Sequence, residues 1–205
     1  MYHNGSNSVI REEGTGNLNI QTTGGNVDIL VNTTETAAKF ISDGAVELYH
    51  NGSKKFETTN DGVSVTGIAT VTQGMHFQGM LREDCNIVAN KLSAATNIDL
   101  ENGMVHYFST NETTTAIPNI RWNSSYSLNN KMSTGEAVTV TIIYKPNGAG
   151  YYANMTIDSG SRTEEWNGGA APSAANAGGY DVLTHTIIKT GNGAYIVLSN
   201  VQNYA

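Results

Sequence analysis

Turn-forming residues interrupt this sequence at short intervals, which leaves room for short strands but hardly for helices. In the first third of the chain the turn signals include Gly24-Gly25, Asp43-Gly44 and Asn51-Gly52. They recur about every 8–10 residues, a spacing typical of all-β proteins. Between them, segments such as 17–21 and 63–67 alternate apolar and polar residues, as strands with two unlike faces do. The pattern predicts an all-β chain, with further strands at 27–31, 36–41 and 45–49.

The composition agrees with strands and indicates a small core. Asn, Thr, Gly and Ser account for 85 of the 205 residues, and charged residues for 14%. Thr favours strands because its branched side chain packs on a pleated surface, and Asn and Gly supply positive-φ turns. A chain this poor in apolar residues buries little surface by itself. We therefore expect sister subunits to cover part of its apolar surface.

A pentapeptide occurs twice in the first part of the chain. The sequence YHNGS stands at residues 2–6 and again at 49–53, and each copy precedes a strand-like run and a Gly turn. Asn-Gly between strand patterns is a strong signal for a β-hairpin. Repeated short β-units predict a repetitive β-shaft over residues 1–74, either a β-solenoid or a β-prism, that gains stability by stacking against copies of itself.

The second part, residues 75–205, has longer strand patterns. The clearest is 136–144, where Val138, Val140 and Ile142 share one face. Together with patterns near 85–92, 97–100, 103–108, 116–122, 151–157, 180–189 and 194–198, it predicts a globular β-domain resembling a sandwich or a jelly roll.

Several classes of function are disfavoured. The formal net charge of −7 argues against nucleic-acid binding, and an apolar run long enough to span a membrane is lacking. Cys85 is the single cysteine and the five histidines are scattered, so we expect neither a metal site nor a cofactor. Glu164 and Glu165 are adjacent and would point to opposite faces of a strand, so we expect no catalytic residues.

One segment resembles a known repeat. The run FISDGAVELYHNGSKKFETT at residues 40–59 is similar to a repeat in tail-fibre and structural proteins of marine phages, cyanophages among them. Residues 6–18 resemble the same repeat, and WNGGAAP at 166–172 with YDVL at 180–183 resembles the tip of such fibres. The resemblance covers about half of the chain. It implies a trimeric virion appendage, either a tail fibre or a capsid-surface appendage.

Aromatic residues in Gly-, Asn- and Ser-rich segments of the second part are the candidate binding residues. Sugars commonly stack on exposed aromatic rings while amides, carboxylates and hydroxyls fix their orientation. The candidates for glycan recognition are Trp122, Tyr126, Tyr151, Tyr152, Trp166 and Tyr180. The alternative for the two tryptophans is a place in the core or between subunits.

The expected function is that of a virion structural protein. It would contact other virion proteins and present the second domain to host-surface glycans. One alternative is a capsid decoration or tail protein that contacts only other virion subunits. A second is a tailspike that depolymerises polysaccharide.

Overall fold

The computed structural model describes residues 2–3, 5–176 and 178–204. The predicted all-β class is confirmed, since strands hold 45% of the residues and helix 3%. The chain divides into two compact units, Met1–His76 and Phe77–Ala205, and the predicted boundary lies near residue 74. Among the described residues, no helix has the length and apolar character needed to cross a membrane.

The first unit is an antiparallel meander preceded by a small hairpin. Strands β3 to β7 form one five-stranded sheet in sequence order, while β1 and β2 pair separately. The strands are β1 (Tyr2–His3), β2 (Ser8–Val9), β3 (Val27–Val31), β4 (Glu35–Phe40), β5 (Val46–His50), β6 (Ser53–Thr59) and β7 (Gly62–Val65).

Turn chemistry explains the tight connection between β5 and β6. His50 pairs with Ser53, and the two residues between them, Asn51 and Gly52, have φ values of 48° and 68°. Both angles are positive, as a type I′ turn requires, and Asn and Gly tolerate them best. The hairpin predicted at Asn51-Gly52 is therefore confirmed.

Two predictions for the first unit differ from the structure. Its strands pair antiparallel with their sequence neighbours, so one chain forms a meander and not a β-solenoid. Residues 17–21 form no strand. In the first YHNGS copy His3 pairs with Ser8, a wider connection than in the second copy, and Asn4 lies outside the described residues. The trimeric β-prism stays a prediction.

The second unit contains two sheets. The larger has six strands in the order β15-β17-β16-β12-β10-β8, and the smaller has four in the order β14-β13-β11-β9. A 3₁₀ turn (Leu100–Asn102) and a one-turn helix α1 (Leu128–Lys131) are its helical parts in the described residues. Its strands are β8 (Cys85–Val88), β9 (Asn97–Asp99), β10 (Val105–Glu112), β11 (Asn119–Arg121), β12 (Ala137–Pro146), β13 (Thr156–Ile157), β14 (Gly160–Ser161), β15 (Glu164–Trp166), β16 (Tyr180–Gly191) and β17 (Ala194–Tyr204).

The chain winds between these two sheets. Strands β8, β10 and β12 lie parallel in the large sheet, and β9, β11 and β13 lie parallel in the small one. Equivalent residues of successive windings therefore stack in register. Ile98, Ile120 and Ile157 form one such stack and are all fully buried.

Both sheets enclose one hydrophobic core. Val140, Ile142, Leu183 and Ile187 from the large sheet belong to the same buried cluster as the isoleucine stack of the small sheet. Two sheets around one core agree with the predicted sandwich. The parallel pairs do not fit a jelly roll, whose strands are antiparallel, so that alternative is wrong. Stacked windings, predicted for the first part of the chain, occur in the second.

Candidate functional site

A polar basin of about 190 Å³ lies on the second unit, beside the small sheet. Most of its residues come from β11, from the Ser-rich loop that follows, and from the β13–β14 turn. We define the basin by its lining residues Asn119, Arg121, Asn123, Ser124, Ser125, Tyr126, Ser127, Asp158 and Ser159.

Stacked side chains from successive windings hold one wall of the basin. Arg121 Nε lies 2.5 Å from Asp99 Oδ1, and its second contact to this carboxylate is 3.3 Å long. The hydrogen bond to Asp99 raises the pKa of Arg121, so the guanidinium stays charged. Two positions further along the chain, Asn123 donates to Glu101 Oε2 at 2.7 Å.

Backbone geometry shapes the opposite wall. Asp158 and Ser159 form a two-residue turn with φ values of 51° and 65°. The Asp158 carboxylate accepts the N–H groups of Leu128 at 2.7 Å and Asn129 at 3.0 Å. It therefore anchors the start of α1 to the turn and fixes the basin between them.

One of the predicted aromatic residues, Tyr126, lines this basin, and Trp122 lies near it. Tyr126 is 55% exposed and so is accessible to a ligand. Lys131 Nζ lies 4.7 Å from the centroid of the Tyr126 ring and 5.4 Å from that of Trp122. Trp122 is half-buried and packs against the core, as the core alternative for the tryptophans predicts.

The other predicted aromatics lie elsewhere. Tyr152 is fully buried and therefore cannot stack on a sugar, so its prediction as a binding residue is wrong. Its ring packs 5.6 Å from that of Trp166, centroid to centroid, and Trp166 also packs against the core. Tyr151 is half-buried. Tyr180 is 41% exposed, with its ring 6.2 Å from Tyr107.

A buried polar network next to Tyr152 was not predicted from the sequence. The Tyr152 hydroxyl donates to Glu164 Oε2 at 2.7 Å, and Met155 N donates to Glu164 Oε1 at 2.8 Å. Burial raises the pKa of Glu164, although these hydrogen bonds oppose the shift. Ser199 joins this carboxylate to His185, whose Nδ1 lies 2.8 Å from Ser199 Oγ. The sequence signal for this network is the alternation along β15, which turns position 164 to the same side as Trp166.

Glu164 and Glu165 do not converge. Glu164 points into the core, whereas Glu165 lines a groove of about 410 Å³ on the other side of the large sheet, with Trp166 and Thr184. The expectation that these adjacent carboxylates point to opposite faces is confirmed.

The first unit carries an exposed apolar surface, in contrast to the polar basin of the second unit. One residue from each strand of the meander forms a cross-strand row, Ile29, Ala38, Leu48, Phe56 and Val65. Val27, Phe40 and Val46 lie beside this row on the same face. We call these eight residues the bare face, because Ile29, Phe40, Leu48 and Val65 are each 45–51% exposed.

The opposite face of the same sheet is charged. Its row comprises Asp28, Lys39, Glu47, Glu57 and Ser64. Lys54 forms ion pairs with both Glu47 and Glu57, and the Tyr49 hydroxyl donates to Glu47 at 2.6 Å. Hydrogen bonds from Tyr49 and Lys54 lower the pKa of Glu47. The sheet thus has one face suited to water and one that is not.

Comparison with known proteins identifies no relative. No family model matches the chain, no curated protein is significantly similar to it, and no solved structure matches it significantly. Within residues 2–3, 5–176 and 178–204, no three His, Cys, Asp or Glu side chains are grouped so that they could hold a metal ion.

Proposed function

We propose that this protein is a structural subunit of a phage virion appendage that assembles as a homotrimer and presents its second unit to host-surface glycans. The single observation that supports this proposal best is the bare face of the first unit. A sheet normally buries its apolar face against another layer, because a single layer leaves that face in water.

The bare face leaves apolar side chains exposed that association would bury. Side chains such as Phe40 and Leu48 remain nearly half exposed in the single chain. Burying what remains would contribute about 1 kcal/mol for each large side chain. Three copies whose bare faces meet at a threefold axis would enclose a core that one copy lacks. The charged row around Glu47 and Lys54 would then face water.

The polar basin is the part of the second unit best suited to a glycan. Tyr126 offers an exposed ring for stacking, and the serine hydroxyls and Arg121 offer hydrogen bonds around it. Three such basins on one trimer would raise avidity even if each site were weak.

Assembly can be tested by the solution mass of the full chain. We expect about 65 kDa by sedimentation velocity, three times the 21.8 kDa chain. Leu48→Arg would place a charge in the bare face and should shift the protein to monomers. Ser64→Arg, on the charged face of the same sheet, is the matched control and should remain trimeric.

Folding of the variants can be followed separately. Both tryptophans, Trp122 and Trp166, lie in the second unit. Their fluorescence therefore reports on the second unit even if Leu48→Arg disturbs the first. A monomeric wild-type protein, or a Leu48→Arg protein that remains a trimer, would contradict the proposed assembly.

Host recognition needs a different measurement. We expect the labelled trimer to bind host cells, and Tyr126→Ala to reduce this binding about tenfold. Tyr204→Ala removes a tyrosine of the same unit that is 53% exposed, close to the 55% of Tyr126, and should have no effect. A trimer that enters virions but does not bind cells would instead support the role of a decoration or tail structural protein.

A further inference from the structure

The large sheet of the second unit has a second surface, turned away from the core. Along β16, Leu183 and Ile187 are buried in the core, while Val182, Thr184 and Thr186 alternate with them and point outward. The same alternation on β12 turns Thr139, Thr141 and Ile143 outward. We call this surface of the six-stranded sheet the outer face.

Residues of the outer face are arranged in cross-strand rows. One row runs through Ile87, Tyr107, Ile143 and Val182, and the next through Cys85, Val105, Thr141, Thr184 and Asn200. A third contains Thr139, Thr186 and Leu198. Thr139 and Thr186 are in hydrogen-bond contact, with 3.3 Å between their hydroxyl oxygens.

These three rows contain no charged side chain. Two charged residues of the same surface flank them, because Glu165 pairs with Leu198 at the edge strand β15 and Lys145 follows Ile143 on the outward side of β12. Within the rows, Ile87 is 67% exposed and Leu198 is 46% exposed. Charged side chains such as Lys discourage association between strands of different molecules, and the three rows lack them.

The absence of charge in these three rows favours another copy of this chain as the partner that covers the outer face. The chain has a net charge of −7, so two copies repel each other wherever their acidic surfaces meet. Like-charge contacts do not arise where the uncharged rows lie against neighbouring copies. Methyl and hydroxyl groups of threonine can pack against apolar and hydroxyl groups of a neighbouring copy.

The size of the surface agrees with a share of a subunit interface. Twelve positions, about 4.8 Å apart between strands and about 6.8 Å apart along them, give a patch of roughly 400 Å² in projection. This is about half of the ~800 Å² that each partner contributes to a standard protein interface.

We propose that the outer face is buried between copies of this chain in the assembled protein, so that both units contribute to the subunit interface. This inference rests on the proposed homotrimer and extends it to the second unit. It also assigns the groove beside Glu165, Trp166 and Thr184 to the interface and not to a small ligand.

Thr184→Arg in the full-length protein tests the proposal. An arginine at the middle of the outer face would be forced into the interface without a partner. We expect the protein concentration at which the trimer half-dissociates to rise at least about tenfold, measured by sedimentation. Thr184→Val keeps the shape without the hydroxyl and should remain close to wild type. Ser124→Arg, in the polar basin, is the control for added charge.

Cys85 provides an independent measurement that requires no substitution. Its side chain is exposed in the single chain and lies in the same row as Thr184. Assembly should therefore slow its reaction with a maleimide on the order of tenfold relative to the dissociated protein, because access to the thiol is lost. Tryptophan fluorescence identifies any Thr184→Arg protein whose second unit is unfolded.

The outcomes separate the two proposals. A trimer in which Thr184→Arg leaves the dissociation concentration unchanged and Cys85 reacts as fast as in monomers would overturn this inference and leave the proposed trimer intact. A wild-type chain that is monomeric at all concentrations would overturn both.

Discussion

His185 is a fully buried histidine in an aromatic environment. Its ring lies 5.3 Å from that of Tyr152 and 6.1 Å from that of Trp166, between centroids. Burial lowers its pKa to about 4, well below the ordinary value of 6.5. The imidazole is therefore neutral at neutral pH, and its Nδ1 pairs with Ser199 Oγ.

The pKa of His185 predicts a pH-dependent stability. Below pH 6.5 the unfolded chain binds a proton at this position, whereas the folded chain does so only near pH 4. The contribution of His185 is therefore complete above pH 6.5 and is lost as the pH falls toward 4, about 1.4 kcal/mol per pH unit and ~3 kcal/mol in all.

Replacement of the histidine tests this pH dependence. His185→Gln should flatten the change in the free energy of unfolding between pH 6.5 and 4, measured by urea denaturation followed through tryptophan fluorescence. Part of the slope should remain, because burial also lowers the pKa of His106. His50→Gln, at an exposed position of the first unit, is the control. An unchanged slope in His185→Gln would show that this histidine is accessible to protons in the folded chain.

At the scale of the elements, the end of β10 is held by a buried carboxylate. Glu112 accepts the N–H groups of Ser93 at 2.6 Å and of Thr113 and Thr114 at 2.9 Å each. Burial by itself would raise the pKa of Glu112, but these hydrogen bonds outweigh it and lower the pKa below its ordinary value. The carboxylate thus ties β10 to the loop that follows β8.

Gly150 lies directly against the backbone of Glu112 and Thr113, at the end of β10. A Cβ on Gly150 would lie 2.3 Å from the Glu112 carbonyl oxygen and 2.7 Å from the amide nitrogen of Thr113. Both are backbone atoms that cannot rotate away. We expect Gly150→Ala to lower the free energy of unfolding by about 1–3 kcal/mol, measured in the same denaturation experiment.

Gly191 offers a matched control in the same unit. A Cβ there would meet the Ala194 Cβ at 3.6 Å, an ordinary van der Waals distance. Gly191→Ala should therefore cost less than Gly150→Ala. Equal losses in the two variants would argue against a close approach between Gly150 and the end of β10.

Local sequence signals predicted the positions of strands and turns better than they predicted which strands pair with each other. The Asn51-Gly52 hairpin and the strand over 136–144 follow from turn chemistry and alternation, which depend on neighbouring residues. The parallel stacking of β8, β10 and β12 brings together residues 20 or more positions apart, such as Cys85 and Val105, and no local pattern specifies it. Residues 17–21 alternate as a strand does but find no partner strand in the described chain.

The candidate site shows the same limit. Aromatic residues in polar segments pointed to Tyr126, which is exposed, but also to Tyr152, which is not. Whether a ring faces solvent depends on which side of its strand meets the core, and Tyr152 lies in an irregular stretch with one bridge to Ala116. The polar basin also requires Asp158, which reaches α1 across 30 positions of sequence.

At the scale of the whole molecule, the two units differ in what stabilises them. The second unit has its own core, with residues such as Phe108, Ile142 and Leu183 at most 1% exposed. Among the described residues of the first unit, Ala38 is the single buried apolar residue, and it is 8% exposed. The first unit should therefore depend on assembly, whereas the second should persist without it.

This difference predicts the order in which protection is lost on dilution. As the proposed trimer dissociates, amide hydrogens of β4, β5 and β6 should exchange at rates close to those of an unfolded chain, because the single-layer sheet would lose the partners proposed to cover its bare face. Amides of β12 and β16, which lie above the core of the second unit, should stay protected over the same dilution series. Hydrogen exchange followed by mass spectrometry resolves the two groups of peptides.

Leu48→Arg should show the dissociated pattern at every concentration, and Ser64→Arg should follow the wild type. Loss of protection in both units at one concentration would mean that the core of the second unit is not sufficient without the assembly, and protection of β4 to β6 in monomers would mean that the meander needs no partner.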